Sequence, residues 1–187
     1  EVDHVLARAG LRPPDLGGIA VALGPGSFTG LRVGLSVAKG LGLALGRPVL
    51  GVGSLLAMAW PYRELAEERA LGVLLDLGRG ELAAQWYSGR SLRLVGELVV
   101  GDLARVVANA PVGPLLVVAE AGAAASADLA AVLGSRAVFT ATPAPLVRIA
   151  GLAALGWARL ARGEADDLAT LQPLYPQRSG QPTDRVR

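Results

Sequence analysis

The chain has 187 residues, 52% of them apolar and 18% charged, with a net charge of +2. That is long enough for one large domain or two small ones with a real core. The absence of cysteine excludes disulfides, thiolate catalysis and cysteine-ligated metals, and the single histidine, His4, cannot supply the usual zinc ligand sets and argues against a serine triad.

Apolar runs are interrupted, even the stretch 33–60 by Lys39, Arg47, Pro48 and Ser54. They therefore fall short of the ~18–20 residues of a membrane span, and no signal peptide is visible. A soluble, cytoplasmic protein is expected, its excess apolar surface placed in a core or an interface. The charge is too small and too scattered for a nucleic-acid binder, apart from a modest tail of Arg178, Arg185 and Arg187.

In chain order, residues 2–9 predict the end of a helix closed by Gly10, and "GIAVAL" at 18–23 a buried strand. "FTGLRVGLSVAKGLGLALG" predicts a helix, "PVLGV" a strand, and Ser54 the cap of a helix reaching about residue 69 and disturbed at Pro61. "ALGVLLDL", "ELAAQWYS" and "SLRLVGELVV" then predict three strands joined by the turns "GRG" and "SGR". A helix opened by Asp102, the strand "PLLVVAE", a helix opened by Ser126, the strand "RAVFT" and the helix "APLVRIAGLAALGWARLARG" complete the chain.

The order is αβαβα followed by βββαβαβα, and without its three opening strands the second half repeats the first. Two copies of βββαβαβ resemble the actin/Hsp70/sugar-kinase superfold, a duplicated α/β, ribonuclease-H-like architecture. The expected units are 1–69, incomplete and carrying the partner surface, and 70–187 with the tail. The first copy lacks its opening strands and begins with Glu1. Roughly thirty residues or more are therefore expected upstream, judged from the matching segment of the second copy.

"VALGPGSFTGLRVG", residues 21–34, admits three readings. A phosphate loop would need the Gly-Lys pair of the P-loop, which is missing. Gly24, Gly26 and Gly30 give G-x-G-x-x-x-G, one residue longer than the dinucleotide fingerprint. No Asp or Glu occurs between Asp15 and Glu64 to hold Mg²⁺ or a ribose, although helix N-termini attract anions without a motif. A nucleophile elbow would need G-x-S-x-G, which Pro25, Phe28 and Thr29 break around Ser27. The plain reading is a tight turn at Gly24, Pro25 and Gly26, with Ser27 or Thr29 capping the helix.

The helix behind the loop is more informative. Gly30, Gly34, Ala38 and Gly42 recur every four residues as a small-residue face, while Leu31, Leu35, Leu41 and other apolar side chains fill the remaining faces. Only Arg32, Ser36 and Lys39 form a polar strip. A helix apolar nearly all round is expected to be buried on several sides. It packs either wholly within its own domain, or with one side on its sheet and another against a partner chain. Close approach by another backbone would explain the glycines.

"GPGSFTGLRVGLSVAKGLGLALGRPVLGVGSLLAMA" closely resembles the signature of the TsaB (YeaZ) family, and the likeness continues through "LLDLGRGELAAQWYSG" and "LQPLYPQR". The resemblance implies the duplicated superfold and the role of a non-catalytic dimerisation subunit, without cofactor or metal. Such a subunit partners TsaD, which transfers threonylcarbamoyl to the adenosine beside the anticodon of tRNA. TsaE, an ATPase, and tRNA are met through the complex, and a homodimer is a further option. The partner surface implied is that of the first two helices, here 1–10 and 28–46, with Gly30, Leu31, Arg32, Gly34, Leu35, Ala38, Leu41 and Gly42 expected in it.

Departures are Asp76-Leu77-Gly78-Arg79, where the family often has Asp-Ala-Arg, and Pro176 after Tyr175. Asp-x-Gly is also the phosphate turn of active members of the superfold. An ATP-binding phosphotransferase or ATPase using Asp76 is thus the alternative, beside a plain hairpin turn.

Overall fold

The computed structural model describes residues 2–140 and 145–175. The first half runs α1 (Val2–Arg8), β1 (Ile19–Gly24), α2 (Phe28–Leu45), β2 (Val49–Gly53) and α3 (Ser54–Ala59). The second runs β3 (Ala70–Gly78), β4 (Glu81–Ser88), β5 (Arg93–Gly101), α4 (Leu103–Ala108), β6 (Leu115–Glu120), α5 (Ala123–Leu133), β7 (Ala137–Phe139) and α6 (Pro145–Ala161). The element order is the expected one. Pro176 and the arginines Arg178, Arg185 and Arg187 lie outside the described residues.

Helix boundaries follow local chemistry. Ser27 caps α2, its hydroxyl accepting the Gly30 N–H at 3.3 Å, and Asp102 caps α4 through the Arg105 N–H at 2.9 Å. Two expected caps are corrected. Ser54 is the first residue of α3 behind Gly53, and Ser126 sits inside α5, which starts after Gly122. The expected helix from 54 to about 69 stops at Ala59, and the chain tightens into a 3-10 segment over Trp60–Ala66, with Pro61 at its start.

β1 and β2 pair in parallel, Ile19 opposite Val49, and among the described residues they form a two-stranded sheet. The second sheet has the order β5-β4-β3-β6-β7, an antiparallel meander of β5, β4 and β3 continued by parallel β6 and β7. Its central strands read as continuous apolar runs because both faces are covered. On β3, Leu71, Val73 and Leu75 meet Leu55 and Met58 of α3, whereas Leu74 joins Trp86, Val106 and Leu129 on the opposite face beside α4 and α5.

α6 does not stay with the second sheet. It packs on α3, β1 and β2. A Cβ on Gly151 would lie 2.0 Å from the Ala57 carbonyl oxygen, and one on Gly156 2.4 Å from the Ala20 Cβ. The chain then continues along the first sheet: Asp166 N–H donates to Val49 O at 3.0 Å and Leu174 N–H to Leu23 O at 2.8 Å. The expected boundary after residue 69 separates the two sheets, but α6 and residues 164–175, expected with the second unit, lie on the first.

Candidate functional site: the outer side of the second helix

The loop from Gly24 to Thr29, with a cis Gly24–Pro25 peptide, stands at the mouth of a cleft of ≈1190 Å³ between the two sheets. Gly26, Ser27, Ser54, Asp76, Glu120 and Arg148 contribute to its walls. Several of these polar groups already have partners within the chain. Asp76 Oδ1 accepts the Gly78 N–H at 2.6 Å inside the β3–β4 turn, and Arg148 reaches Glu120 Oε2 at 3.1 Å as an ion pair without a well-aligned hydrogen bond. Ser27 is occupied as a helix cap. This is the geometry of a hairpin turn and a closed ion pair.

α2 is the unusual element. One side covers the first sheet: Leu35 and Ala38 pack with Val21 and Val49, joined at the edge by Leu168 and Leu171. Gly42 lies so close to β2 that a Cβ would come within 2.4 Å of Val49 Cγ2. Only Leu35, Ala38 and Gly42 of its eighteen residues are buried. Phe28, Val33, Val37 and Leu43 are exposed, Leu43 at 72%. Packing wholly within its own domain, the first of the two expectations, is not seen among the described residues.

The expected interface residues therefore divide. Gly30, Arg32 and Gly34 are exposed, and Leu31 and Leu41 are half-buried. Leu35, Ala38 and Gly42 face the chain's own sheet, so they are corrected to core positions. The small residues recur at intervals of four, and each such step rotates the face by about 40°. Between Gly30 and Gly42 it turns through about 120°, from outside to inside. What that pattern missed is the outward stripe of Val33, Val37, Gly40 and Ala44. Its i, i+4, i+7, i+11 spacing is legible only after the inner stripe of Leu31, Leu35, Ala38 and Gly42 is set apart.

By length and composition α2 also meets the requirement for a membrane span, contrary to the sequence expectation. Its seat on β1 and β2 makes it part of the fold instead. In α1, Leu6 is buried while Val2 and Val5 are exposed, so this helix too carries apolar side chains outward.

At the start of α2 stands a compact cluster. Arg32 Nε donates to the Tyr175 hydroxyl at 2.9 Å, its Cζ lies 4.1 Å from the centre of the Phe28 ring, and the Phe28 and Tyr175 ring centres are 5.2 Å apart. A second cluster holds the chain after α6. Arg159 binds Asp166 through both terminal nitrogens, at 2.7 and 3.1 Å, Glu164 through Nε at 2.7 Å, and the Gly51 carbonyl at 2.8 Å. The bond to Arg159 first, then that to the Gly51 N–H, holds the Asp166 carboxyl below the usual carboxylate range.

The repeated element order and the sheet order of the second half define a member of the actin/Hsp70/sugar-kinase superfold. A family model described as "TsaD: tRNA N6-adenosine threonylcarbamoyltransferase" matches residues 1–155. The YeaZ structure from Pseudomonas aeruginosa superposes with a TM-score of 0.70 at 29% identity, covering 92% of this chain and 80% of that one. A relative from Mycobacterium tuberculosis strain H37Rv, described as an uncharacterized protein, is 36% identical over 177 residues, 92% of this chain and 70% of its own length. The TsaB protein of Escherichia coli K12, a "tRNA threonylcarbamoyladenosine biosynthesis protein", is 37% identical over 82 residues, which is 43% of this chain. The matched stretch spans 35% of that TsaB and 34% of the Haemophilus influenzae one. The chain belongs to the family that this model defines, among its TsaB (YeaZ) proteins.

Proposed function

We propose that this chain is a non-catalytic scaffold that docks onto TsaD through the outer side of α2, with α1 beside it, in threonylcarbamoyl modification of the tRNA adenosine next to the anticodon. The observation that carries the reading is the exposed apolar stripe of α2 around Val33 and Val37, on a helix whose opposite side is seated on the first sheet. Its burial against a partner would contribute ~25 cal/mol per Å² of apolar surface. The name of the E. coli relative supports the pathway. TsaE and tRNA then meet the chain through the complex, in the cytoplasm, and the same apolar stripe serves a homodimer when TsaD is absent.

Co-purification with TsaD tests the reading. Val37→Asp places a charge on an exposed side chain, and Gly34→Leu extends into open space, so both leave the free chain folded. Both are expected to lose TsaD. Retention of TsaD by both variants would overturn the docking face. ATP turnover by the isolated chain, lost on Asp76→Ala, would move the function into the cleft.

A further inference from the structure

We propose that Arg32 is a pre-set cationic anchor at the edge of the docking face, shaped to receive a carboxylate from an Asp or Glu side chain of the partner. The inference rests on the reading of α2 as that face. Arginine usually pays for its contacts in lost rotamer freedom, and here the cost is met before binding. The Nε–H is held by the Tyr175 hydroxyl at 2.9 Å, and the guanidinium lies over Phe28, one helical turn earlier. Tyr175 is itself placed by the chain behind it, where Leu174 N–H meets Leu23 O at 2.8 Å.

The two terminal nitrogens of Arg32 have no partner among the described residues, although Phe28, Arg32 and Tyr175 are all exposed. Nothing nearby in sequence neutralises the charge, because no acid occurs between Asp15 and Glu64, while Arg32 and Lys39 both stand on α2. An apolar face with a fixed cation at its edge is complementary to an apolar face bearing an acid. A planar guanidinium with both terminal nitrogens open matches a carboxylate in two parallel hydrogen bonds.

The test is the dissociation constant of the full chain with TsaD, measured at several salt concentrations for four variants. Tyr175→Phe keeps the ring and every charge but removes the hydroxyl, and Arg32→Lys keeps the charge but loses the fork. Each is expected to weaken the complex about tenfold. The double variant is expected to bind no worse than the weaker single one, because both disable one contact. Arg32→Gln is expected to reduce the salt dependence as well, whereas Tyr175→Phe leaves it unchanged. The unfolding midpoint of the free chain, unaltered in all of them, separates this role from a merely structural one.

Wild-type affinity in Tyr175→Phe and Arg32→Lys, with binding still abolished by Val37→Asp, would overturn the anchor and leave the docking face standing. Wild-type affinity in Val37→Asp would remove the docking face itself. Arg32 variants that hold TsaD normally but weaken tRNA binding by the complex would assign the guanidinium to a phosphate and overturn the carboxylate.

Discussion

Asp166 closes the outer edge of β2 by gripping Gly51: its Oδ2 accepts the Gly51 N–H at 2.7 Å, while its own N–H donates to Val49 O at 3.0 Å. Arg159 completes the clasp by donating to the Gly51 carbonyl at 2.8 Å. Strand edges with open N–H and C=O groups invite unwanted pairing, and here the Asp166 and Arg159 side chains satisfy Gly51 while the Asp166 backbone satisfies Val49.

The clasp makes stability depend on acid. The Asp166 carboxyl is held below its ordinary range in the folded chain, first by Arg159, so its contribution is complete above the unfolded-state value and lost as the pH falls through the folded one. Denaturant unfolding from neutrality down past about pH 4 should show this loss. Asp166→Asn should cost about 1 kcal/mol at neutral pH, at the modest end for a charged hydrogen bond that solvent reaches, and should flatten the acid limb.

Alkali acts through a different residue. Tyr87 is 2% exposed, and burial pushes its phenol up, so the folded chain keeps it neutral. A raised folded value contributes stability that is complete below the unfolded value, about pH 10, and declines as the pH rises beyond it. Tyr87→Phe should abolish that decline, read from unfolding midpoints between about pH 9 and pH 11.

The two glycines of α2 should respond in opposite senses. Gly34→Ala meets nothing within 4 Å and should raise the stability of the free chain by about 0.5–1 kcal/mol through helix propensity. Gly42→Ala drives a methyl to 2.4 Å from Val49 Cγ2 and should lower it by about 1–3 kcal/mol. Equilibrium urea unfolding of the two variants distinguishes the outer side from the inner.

Gly151→Ala should be more damaging still. Its methyl would lie 2.0 Å from the Ala57 carbonyl oxygen, backbone that cannot swing aside as a side chain can. A loss of about 3 kcal/mol is expected, with the α6–α3 contact opening first in hydrogen exchange.

Much of this architecture was legible in the residues. Apolar runs such as Leu71–Leu75 and Leu115–Ala119 announce strands covered on both faces, and glycine-rich turns separate them cleanly. The caps at Ser27 and Asp102 were legible because a polar residue precedes an apolar-periodic run. Ser54 and Ser126 carry the same local signal, yet Gly53 and Gly122 take the cap positions, since strand ends and turns fix where the backbone enters the helix.

The two sides of α2 were not separable from a sequence apolar around the whole circumference. Nothing local tells Val37 from Leu35; only the sheet beneath does. The destination of α6 was hidden for the same reason, because Gly151 against Ala57 is a tertiary contact. The union of Arg32 with Tyr175 spans 143 positions, and no periodicity reaches that far.

Because α6 and the segment after it return to β1 and β2, the sheet of residues 19–53 is finished by residues about a hundred positions later. A nascent chain emerging from the ribosome holds α2 before Leu168 and Leu171 exist to pack against it. α2 is therefore expected to gain its full native protection only when residues 168–171 are out. Stalled nascent chains probed by brief proteolysis would expose this, with early resistance at α2 as the contrary result.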